Sequence, residues 1–153
     1  AYMEFAKLTP NNLDEALALV KKVFDEFEAQ EFSPEGIAAF YAHLDQYVVP
    51  ERLEKGLLMM WGAFEDARLI GVIALENQNH VALLFVDKQY HRQGVATQLF
   101  HLVMAYCIQK VVKQITVNSA PYAVSIYQRL GFIAQDAEQV KNGIRFIPMQ
   151  YNI

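Results

Sequence analysis

The chain has 153 residues, of which 54% are hydrophobic and 20% charged, and its formal net charge is −4. This length suits a single domain, residues 1–153, with a sizeable core. The mild acidity lacks the basic excess of a nucleic-acid-binding domain, so no nucleic-acid partner is expected. We find no apolar run long enough to span a bilayer and no leader pattern at the start, and we therefore expect a cytoplasmic protein without a membrane partner.

The single cysteine, Cys107, lies among apolar neighbours in a helical pattern. One cysteine cannot form an internal disulfide bond. We expect it to be buried and inert, because a buried thiol is a poor nucleophile. No metal site is predicted.

The first third of the chain predicts an edge strand over residues 2–8, followed by a helix. Asn12 is predicted to cap this helix, with Glu15 completing a capping box. The apolar residues that follow share one helical face: Leu13, Ala16, Leu17, Val20, Phe24 and Phe27.

A second helix is predicted to begin at Ser33, with Pro34 in its first position and Pro50 as its stop. The connector between the two helices carries Glu26 and, close by, Glu28 and Glu31. These carboxylates would suit either the entrance of a binding site for cationic substrates or a solvated connector. Because charge runs are usually solvated, we interpret the segment as a solvated connector.

The hydrophobic period then changes to that of strands. Residues 57–64, 69–75 and 81–86 predict three strands joined by tight connections, an antiparallel meander. A helix is predicted after Gly94, and a strand over residues 114–117 returns parallel to the last meander strand through a right-handed crossover.

The last third predicts one more helix, capped by Asn118 or Ser119, with Pro121 in its first turn and Gly131 at its stop. The chain is predicted to close with a strand, a turn and a final strand: residues 133–135, 141–143 and 144–151.

The junction between the third meander strand and its helix favours an anion. The first turn of a helix has N–H groups without intrahelical acceptors and partial positive charge, so a phosphate binds well there. Gly94 and Ala96 let a ligand approach the backbone, and His91 and Arg92 add side-chain donors beside the polar Gln93. The junction is either a pyrophosphate cradle or an ordinary turn, since a short glycine motif is weak evidence.

Two blocks, in this order, resemble the GNAT superfamily of N-acetyltransferases over nearly the whole chain. Residues 91–96 (HRQGVA) match the family motif Q/R-x-x-G-x-G/A after an apolar strand, with His91 in the place of glutamine or arginine. Tyr127 followed by residues 130–132 (LGF) matches the second block. The resemblance implies an α/β (α+β) fold, in which helices flank a mixed, mostly antiparallel central sheet. A splayed central strand pair would form the coenzyme A (CoA) cleft.

The resemblance also implies acetyl-CoA as the cofactor. Main-chain N–H groups from about Arg92 to Thr97 would hold its pyrophosphate. Main-chain groups of Phe85 and Val86 would pair with the pantetheine arm, and Asn118 would line the other side of the cleft. The full set of expected cofactor-binding residues is Phe85, Val86, His91, Arg92, Gln93, Gly94, Val95, Ala96, Thr97, Asn118 and Tyr127.

The chemistry requires two proton transfers, because an alkyl ammonium must be deprotonated and the departing thiolate protonated. By position alone Tyr127 is a core residue, but the resemblance implies that it is the general acid. His80, at the start of the last meander strand, is one candidate base, since a neutral imidazole accepts a proton at physiological pH. Glu76 is the other, and a water chain is the third possibility.

The resulting expectation is an N-acetyltransferase that passes an acetyl group directly to a primary amine of a small molecule or peptide in a ternary complex. The alternative is a catalytically silent CoA-binding sensor or partner module. A doubly wound nucleotide-binding domain fits poorly, because the glycine spacing differs and the preceding strands look antiparallel.

The sequence does not identify the amine. Four aromatic residues would suit an acceptor pocket, although core packing explains them equally well: Phe32, Tyr41, Tyr47 and Trp61. A homodimer through pairing of the last strands is compatible with the pattern, and no local feature decides it.

Overall fold

The computed structural model describes residues 2–153, in which five α-helices flank one face or the other of a β-sheet. The helices are α1 Leu13–Phe27, α2 Pro34–Tyr47, α3 Pro50–Glu54, α4 Val95–Gln109 and α5 Val124–Leu130. The strands are β1 Met3–Lys7, β2 Leu58–Glu65, β3 Arg68–Glu76, β4 His80–Val86, β5 Gln114–Ser119, β6 Ile133–Ala134, β7 Gln139–Lys141 and β8 Ile144–Asn152. Within residues 2–153, none of the helices has the length and apolar character that a membrane crossing demands.

The strands follow the order β1-β2-β3-β4-β5-β8-β6, and β7 pairs with β8. Every pairing is antiparallel except that of β4 with β5. The predicted meander is therefore confirmed as β2 to β4, and the predicted parallel crossover as β4, α4 and β5. A sheet with one parallel pair also excludes the doubly wound alternative.

The parallel pair β4 and β5 separates soon after it starts. The two strands pair at His80 with Thr116 and at Val81 with Val117. A β-bulge then follows in β4, where Val81 lies opposite Leu75 but Leu83 lies opposite Ala74. Beyond this point β4 continues beside β3 and β5 continues beside β8. The predicted splayed pair is confirmed, and it opens a cleft through the middle of the sheet.

Each face of the sheet carries its own hydrophobic core. Leu99 and Phe100 of α4 are buried with Tyr127 of α5 on one face. Val20 and Phe24 of α1 are buried with residues of α2 on the other. Burial of this kind is the main source of stability for amphipathic helices. Cys107 is fully buried in the first core, as predicted.

The predicted capping box of α1 is wrong. A 3-10 turn, Pro10–Asn12, precedes the helix, and Asn12 folds back so that its Oδ1 accepts a hydrogen bond of 2.9 Å from the Thr9 N–H. Glu15 instead accepts a 2.9 Å hydrogen bond from the N–H of Leu69 in β3. The Glu15 carboxylate thus binds the Leu69 N–H, which is distant in sequence, and not the N–H of Asn12 that a capping box would use.

The predicted start of α2 is confirmed, because Ser33 Oγ accepts the Gly36 N–H at 3.0 Å. Pro50 lies just beyond α2, and it also begins the short helix α3.

The predicted cap of α5 is wrong: a 3-10 turn, Pro121–Ala123, precedes the helix, and the Ser119 hydroxyl donates to the Ala120 carbonyl at 2.8 Å. Gly131 ends α5 with φ +109°, as its predicted position at the stop requires.

Candidate active site

A cleft of about 860 Å³ lies where β4 and β5 diverge. Its walls are the end of α1, the end of β4 with the following loop, the first turn of α4, and α5 with the turn before it. A volume of this size suits a small-molecule ligand. The splay of the parallel pair thus supplies the space in which the predicted site residues can meet a ligand.

The N-terminus of α4 opens directly into this cleft. Gly94 caps the helix with φ +79°, a conformation that L side chains rarely adopt, and a Cβ built there meets no atom within 4 Å. The first helical hydrogen bond runs from the Gln98 N–H to the Gly94 carbonyl at 3.0 Å. The N–H groups of Val95, Ala96 and Thr97 precede that bond, so they are available to an anion. The first turn of α4 contains no acidic residue that would oppose one.

Basic side chains surround this helix end. Lys88, Arg92 and Arg129 line the cleft, and Arg92 has φ +62°, which turns the loop towards the helix start. Positive charge at a helix N-terminus increases its affinity for phosphate groups. The Gln93 side chain points elsewhere and donates to the Gln89 carbonyl at 3.0 Å.

His91 holds the loop against the end of β4. Its Nε2 lies 2.7 Å from the Val86 carbonyl oxygen, and because a carbonyl only accepts, Nε2 carries the proton. The ring also packs against Phe27 of α1, with centroids 5.0 Å apart. His91 therefore connects two walls of the cleft, in the motif position where the family has glutamine or arginine.

Tyr127 brings a phenol into the cleft. Only 5% of the residue is exposed, and within residues 2–153 its hydroxyl has no hydrogen-bond partner. Burial raises the pKa of this phenol far above its usual value, and the charge of Glu28 raises it further. Tyr127 is thus protonated at neutral pH and can donate a proton to a group bound beside it.

Glu28 is a cleft residue that the sequence interpretation missed. It is partly buried in the cleft wall, and burial, followed by the charge of Glu31, raises the pKa of its carboxyl to about 7. The solvated-connector interpretation is therefore wrong for this residue. Helical spacing gave the signal, because Glu28 follows the fully buried Phe24 by four positions and so lies on the same face.

His80 and Glu76 lie at the closed end of the strand pair. From His80 to Leu84, where β4 first lines the cleft, the strand rises by ~13 Å. His80 Nδ1 is 2.8 Å from Thr116 Oγ1, and its Nε2 is 3.9 Å from Glu76 Oε1. Burial lowers the pKa of His80 despite the opposing charge of Glu76. Neither residue is part of the cleft wall.

Other predicted residues divide between the cleft and the core. Phe85 and Val86 line the cleft, whereas Asn118 is exposed on β5 outside its wall. None of the four candidate pocket aromatics lines it within the described part of the chain: Phe32, Tyr41, Tyr47 and Trp61. An unpredicted aromatic, Tyr122, does so, and it stacks on Phe27 with ring centroids 5.4 Å apart.

Residues 28–153 match the family model described as "Acetyltransferase (GNAT) domain". The chain belongs to the GNAT acetyltransferase family. It is also 26% identical over 132 residues to a protein of Escherichia coli named uncharacterized N-acetyltransferase YafP, in a match that spans 86% of this chain and 82% of that protein. The predicted family membership is confirmed.

Solved GNAT structures share the fold. The PaiA N-acetyltransferase of Thermoplasma acidophilum, in complex with coenzyme A, superposes with a TM-score of 0.80 at 18% identity, covering 100% of both chains. A GCN5-related N-acetyltransferase of Rhodopseudomonas palustris gives a TM-score of 0.82 at 14% identity, covering 100% of this chain and 97% of the other. Such low identities establish the fold alone.

Acetyl-CoA is the cofactor of this family, and the cleft of this GNAT protein fits it. The free N–H groups of the first turn of α4 suit the pyrophosphate, and three basic side chains suit the phosphates. The open edge of β4 beyond Val81 suits an amide-rich arm that pairs as a strand would.

Proposed function

We propose that this GNAT protein is an N-acetyltransferase that transfers the acetyl group of acetyl-CoA to a primary amine of a small molecule or peptide. The observation that carries the proposal is the meeting of the α4 N-terminus, the open edge of β4 and the Tyr127 phenol in one cleft. When bound, acetyl-CoA supplies an acetyl group activated as a thioester.

The cofactor-binding role rests on main-chain groups. The N–H groups of the first α4 turn hold the pyrophosphate, with Arg92 and His91 at the rim. The main chain of Phe85 and Val86 borders the pantetheine path, although His91 already occupies one acceptor position on Val86. Since main-chain groups do most of this work, histidine in place of the family's glutamine or arginine is compatible with binding.

Tyr127 acts as the general acid in this proposal. Its hydroxyl faces the cleft and has no hydrogen-bond partner within residues 2–153, and its raised pKa keeps it protonated at neutral pH. It gives this proton to the departing sulfur while the attacking nitrogen returns one to Oη, so that no free tyrosinate is left. The open edge of β4 offers main-chain N–H groups that stabilise the oxyanion that develops on the acetyl carbonyl.

Transfer is direct, within a ternary complex. The single cysteine, Cys107, is fully buried, its Sγ lies 3.5 Å from the Gln78 carbonyl oxygen, and burial raises its pKa. A buried, protonated thiol does not form an acyl-enzyme. The acceptor nitrogen therefore attacks the thioester itself.

The test is a two-substrate assay with acetyl-CoA and a set of primary amines: n-butylamine, 1,4-diaminobutane, an α-blocked lysine and a short peptide with a free amino terminus. We expect thiol release that depends on the amine, an acetylated product by mass spectrometry, and initial-rate lines that intersect. Binding of acetyl-CoA without any acetylated amine would favour the silent CoA-binding module instead. Parallel lines would contradict direct transfer.

A further inference from the structure

The end of α1 is fixed over the cleft by contacts with both of its walls. The Phe27 ring packs on His91 at 5.0 Å and stacks on Tyr122 at 5.4 Å. Glu31 Oε1 accepts a 2.8 Å hydrogen bond from the Tyr122 N–H, and Arg145 Nη1 donates to the Glu31 carbonyl at 3.1 Å. These contacts therefore hold the main chain at Glu28, the residue between Phe27 and the following turn, in place.

That residue, Glu28, presents a carboxylate without a partner. Within residues 2–153 it forms no salt bridge, although three basic residues line the same cleft. The Tyr127 hydroxyl, on a residue that is 5% exposed and lines the same cleft, likewise has no protein hydrogen-bond partner within residues 2–153. Among the described residues that line the cleft, Glu28 is the single carboxylate, so a cationic group of a ligand bound there meets its opposite charge at Glu28.

We propose that Glu28 binds the ammonium group of the acceptor and removes its proton, so that the acceptor is a cationic alkyl amine. This inference rests on the proposed acetyl transfer, which it extends by a base and a substrate class. The carboxylate attracts an ammonium ion, and the Tyr127 phenol lines the same cleft. The α1 end and α5 would thus hold the amine between base and acid.

The electrostatic surroundings suit this role. Glu31, on the same segment, raises the pKa of Glu28, and burial raises it more. The cleft wall also presents Tyr122, Tyr127 and Arg129 from α5 and the turn before it, and Lys88, Tyr90, His91 and Arg92 from the loop between β4 and α4. A carboxyl whose pKa is about 7 is a far better base than an ordinary glutamate and is still about half ionised at neutral pH.

The protons balance across the reaction. Glu28 takes one proton from the ammonium group and later releases it to solvent. The freed amine then attacks the thioester carbonyl, so that the N–C bond forms and the C–S bond breaks. Tyr127 gives its proton to the departing sulfur and regains one from the nitrogen, which keeps the third as the amide N–H.

The kinetic test compares Glu28→Gln with wild type for the best acceptor of the amine set. The glutamine side chain keeps the shape but can neither attract a cation nor accept a proton, so we expect kcat/KM to fall by about 10²-fold or more, with acetyl-CoA affinity retained. The rise of kcat/KM near pH 7 should also disappear. Glu26→Gln, which removes an exposed charge from the end of α1, should match wild type. Equal activity of Glu28→Gln and wild type, or a larger loss in His80→Gln, would overturn the inference.

A second readout does not need turnover. The ¹³C resonance of the Glu28 carboxyl is titrated with CoA bound, with and without n-butylammonium, and potassium chloride matches the ionic strength. We expect the cation to lower the pKa of Glu28 and to leave Glu26 unchanged. If n-butylammonium does not alter the Glu28 titration, the inference fails, whatever the assay shows. If the titration shifts while no amine is acetylated, only the proposed transfer fails.

Discussion

The Glu31 carboxylate accepts a hydrogen bond of 2.8 Å from the main-chain N–H of Tyr122, across 91 positions of sequence. This bond ties the end of α1 to the turn that precedes α5. Glu28 precedes Glu31 in the chain and Tyr127 follows Tyr122, so this bond, together with the packing of Phe27 on His91 and Tyr122, positions the two groups that we assign to proton transfer.

Glu31→Gln should separate the positioning role of this residue from its charge. Glutamine keeps an oxygen that can accept the Tyr122 N–H but removes the negative charge that raises the pKa of Glu28. The pKa of Glu28 should therefore fall, and the acidic limb of the kcat/KM profile should move to lower pH while acetyl-CoA affinity is retained. An acidic limb at the wild-type position would show that Glu31 does not influence Glu28.

Tyr127→Phe should lower kcat by about 10²- to 10⁴-fold with little change in the acetyl-CoA dissociation constant, because it removes only the proton donor. The ring itself, which packs edge-on against Phe132 at 5.4 Å, is kept. Tyr106→Phe is the matched control, since that ring packs near Trp61 and lies outside the cleft wall. Steady-state kinetics measure kcat, and calorimetry measures the acetyl-CoA dissociation constant. An unchanged kcat would show that Tyr127 is a core residue and not the general acid.

Thr97→Asp should affect stability and cofactor binding in opposite directions. A carboxylate in the first turn of α4 interacts favourably with the helix dipole, which stabilises the fold by about 0.3–1 kcal/mol. The same charge competes for the free N–H groups and repels the pyrophosphate, so acetyl-CoA affinity should drop by about tenfold or more. Thr97→Asn, of the same shape and uncharged, should bind at least about ten times more tightly than Thr97→Asp. Equal affinities would place the pyrophosphate elsewhere.

Glu28→Gln should also change the pH dependence of stability. The folded carboxyl has a pKa of about 7 against 4.5 for the ordinary group, so between these values the folded chain retains a proton that the unfolded chain has lost. Wild-type stability therefore falls as the pH rises through this window. The free energy of unfolding of Glu28→Gln relative to wild type should increase from pH 5 to pH 8 by about 1–3 kcal/mol, as measured by urea denaturation. A difference independent of pH would mean that Glu28 titrates normally.

Much of the fold could be predicted because local patterns and tertiary contacts agree. The three meander strands alternate or run apolar as buried strands do, and the Ser33 cap and Gly131 stop fulfil the roles that their residue types favour. The failures have a common cause. Residues of these types often cap helices, but here the side chains of Asn12, Glu15 and Ser119 form hydrogen bonds with other main-chain groups.

The candidate site was predictable where the backbone carries the function. Gly94 and the first α4 turn follow from a strand-to-helix junction, whatever the surrounding side chains are. Glu28 was misread because its role depends on where α1 ends relative to Tyr122, a contact distant in sequence. His80 looked well placed along β4, yet only the three-dimensional register with Thr116 reveals that it lies at the closed end of the splay.

Acetyl transfer is tested most directly by following the acetyl group itself. Acetyl-CoA labelled with ¹³C at the acetyl carbonyl is mixed with the protein and the amine set at pH 7.5, and the carbonyl resonance is monitored. We predict conversion of the thioester signal into an amide signal on an alkyl amine, at a rate that Tyr127→Phe and Glu28→Gln both reduce. A thioester signal that persists beside every amine, or that becomes free acetate, would contradict acetyl transfer to an amine.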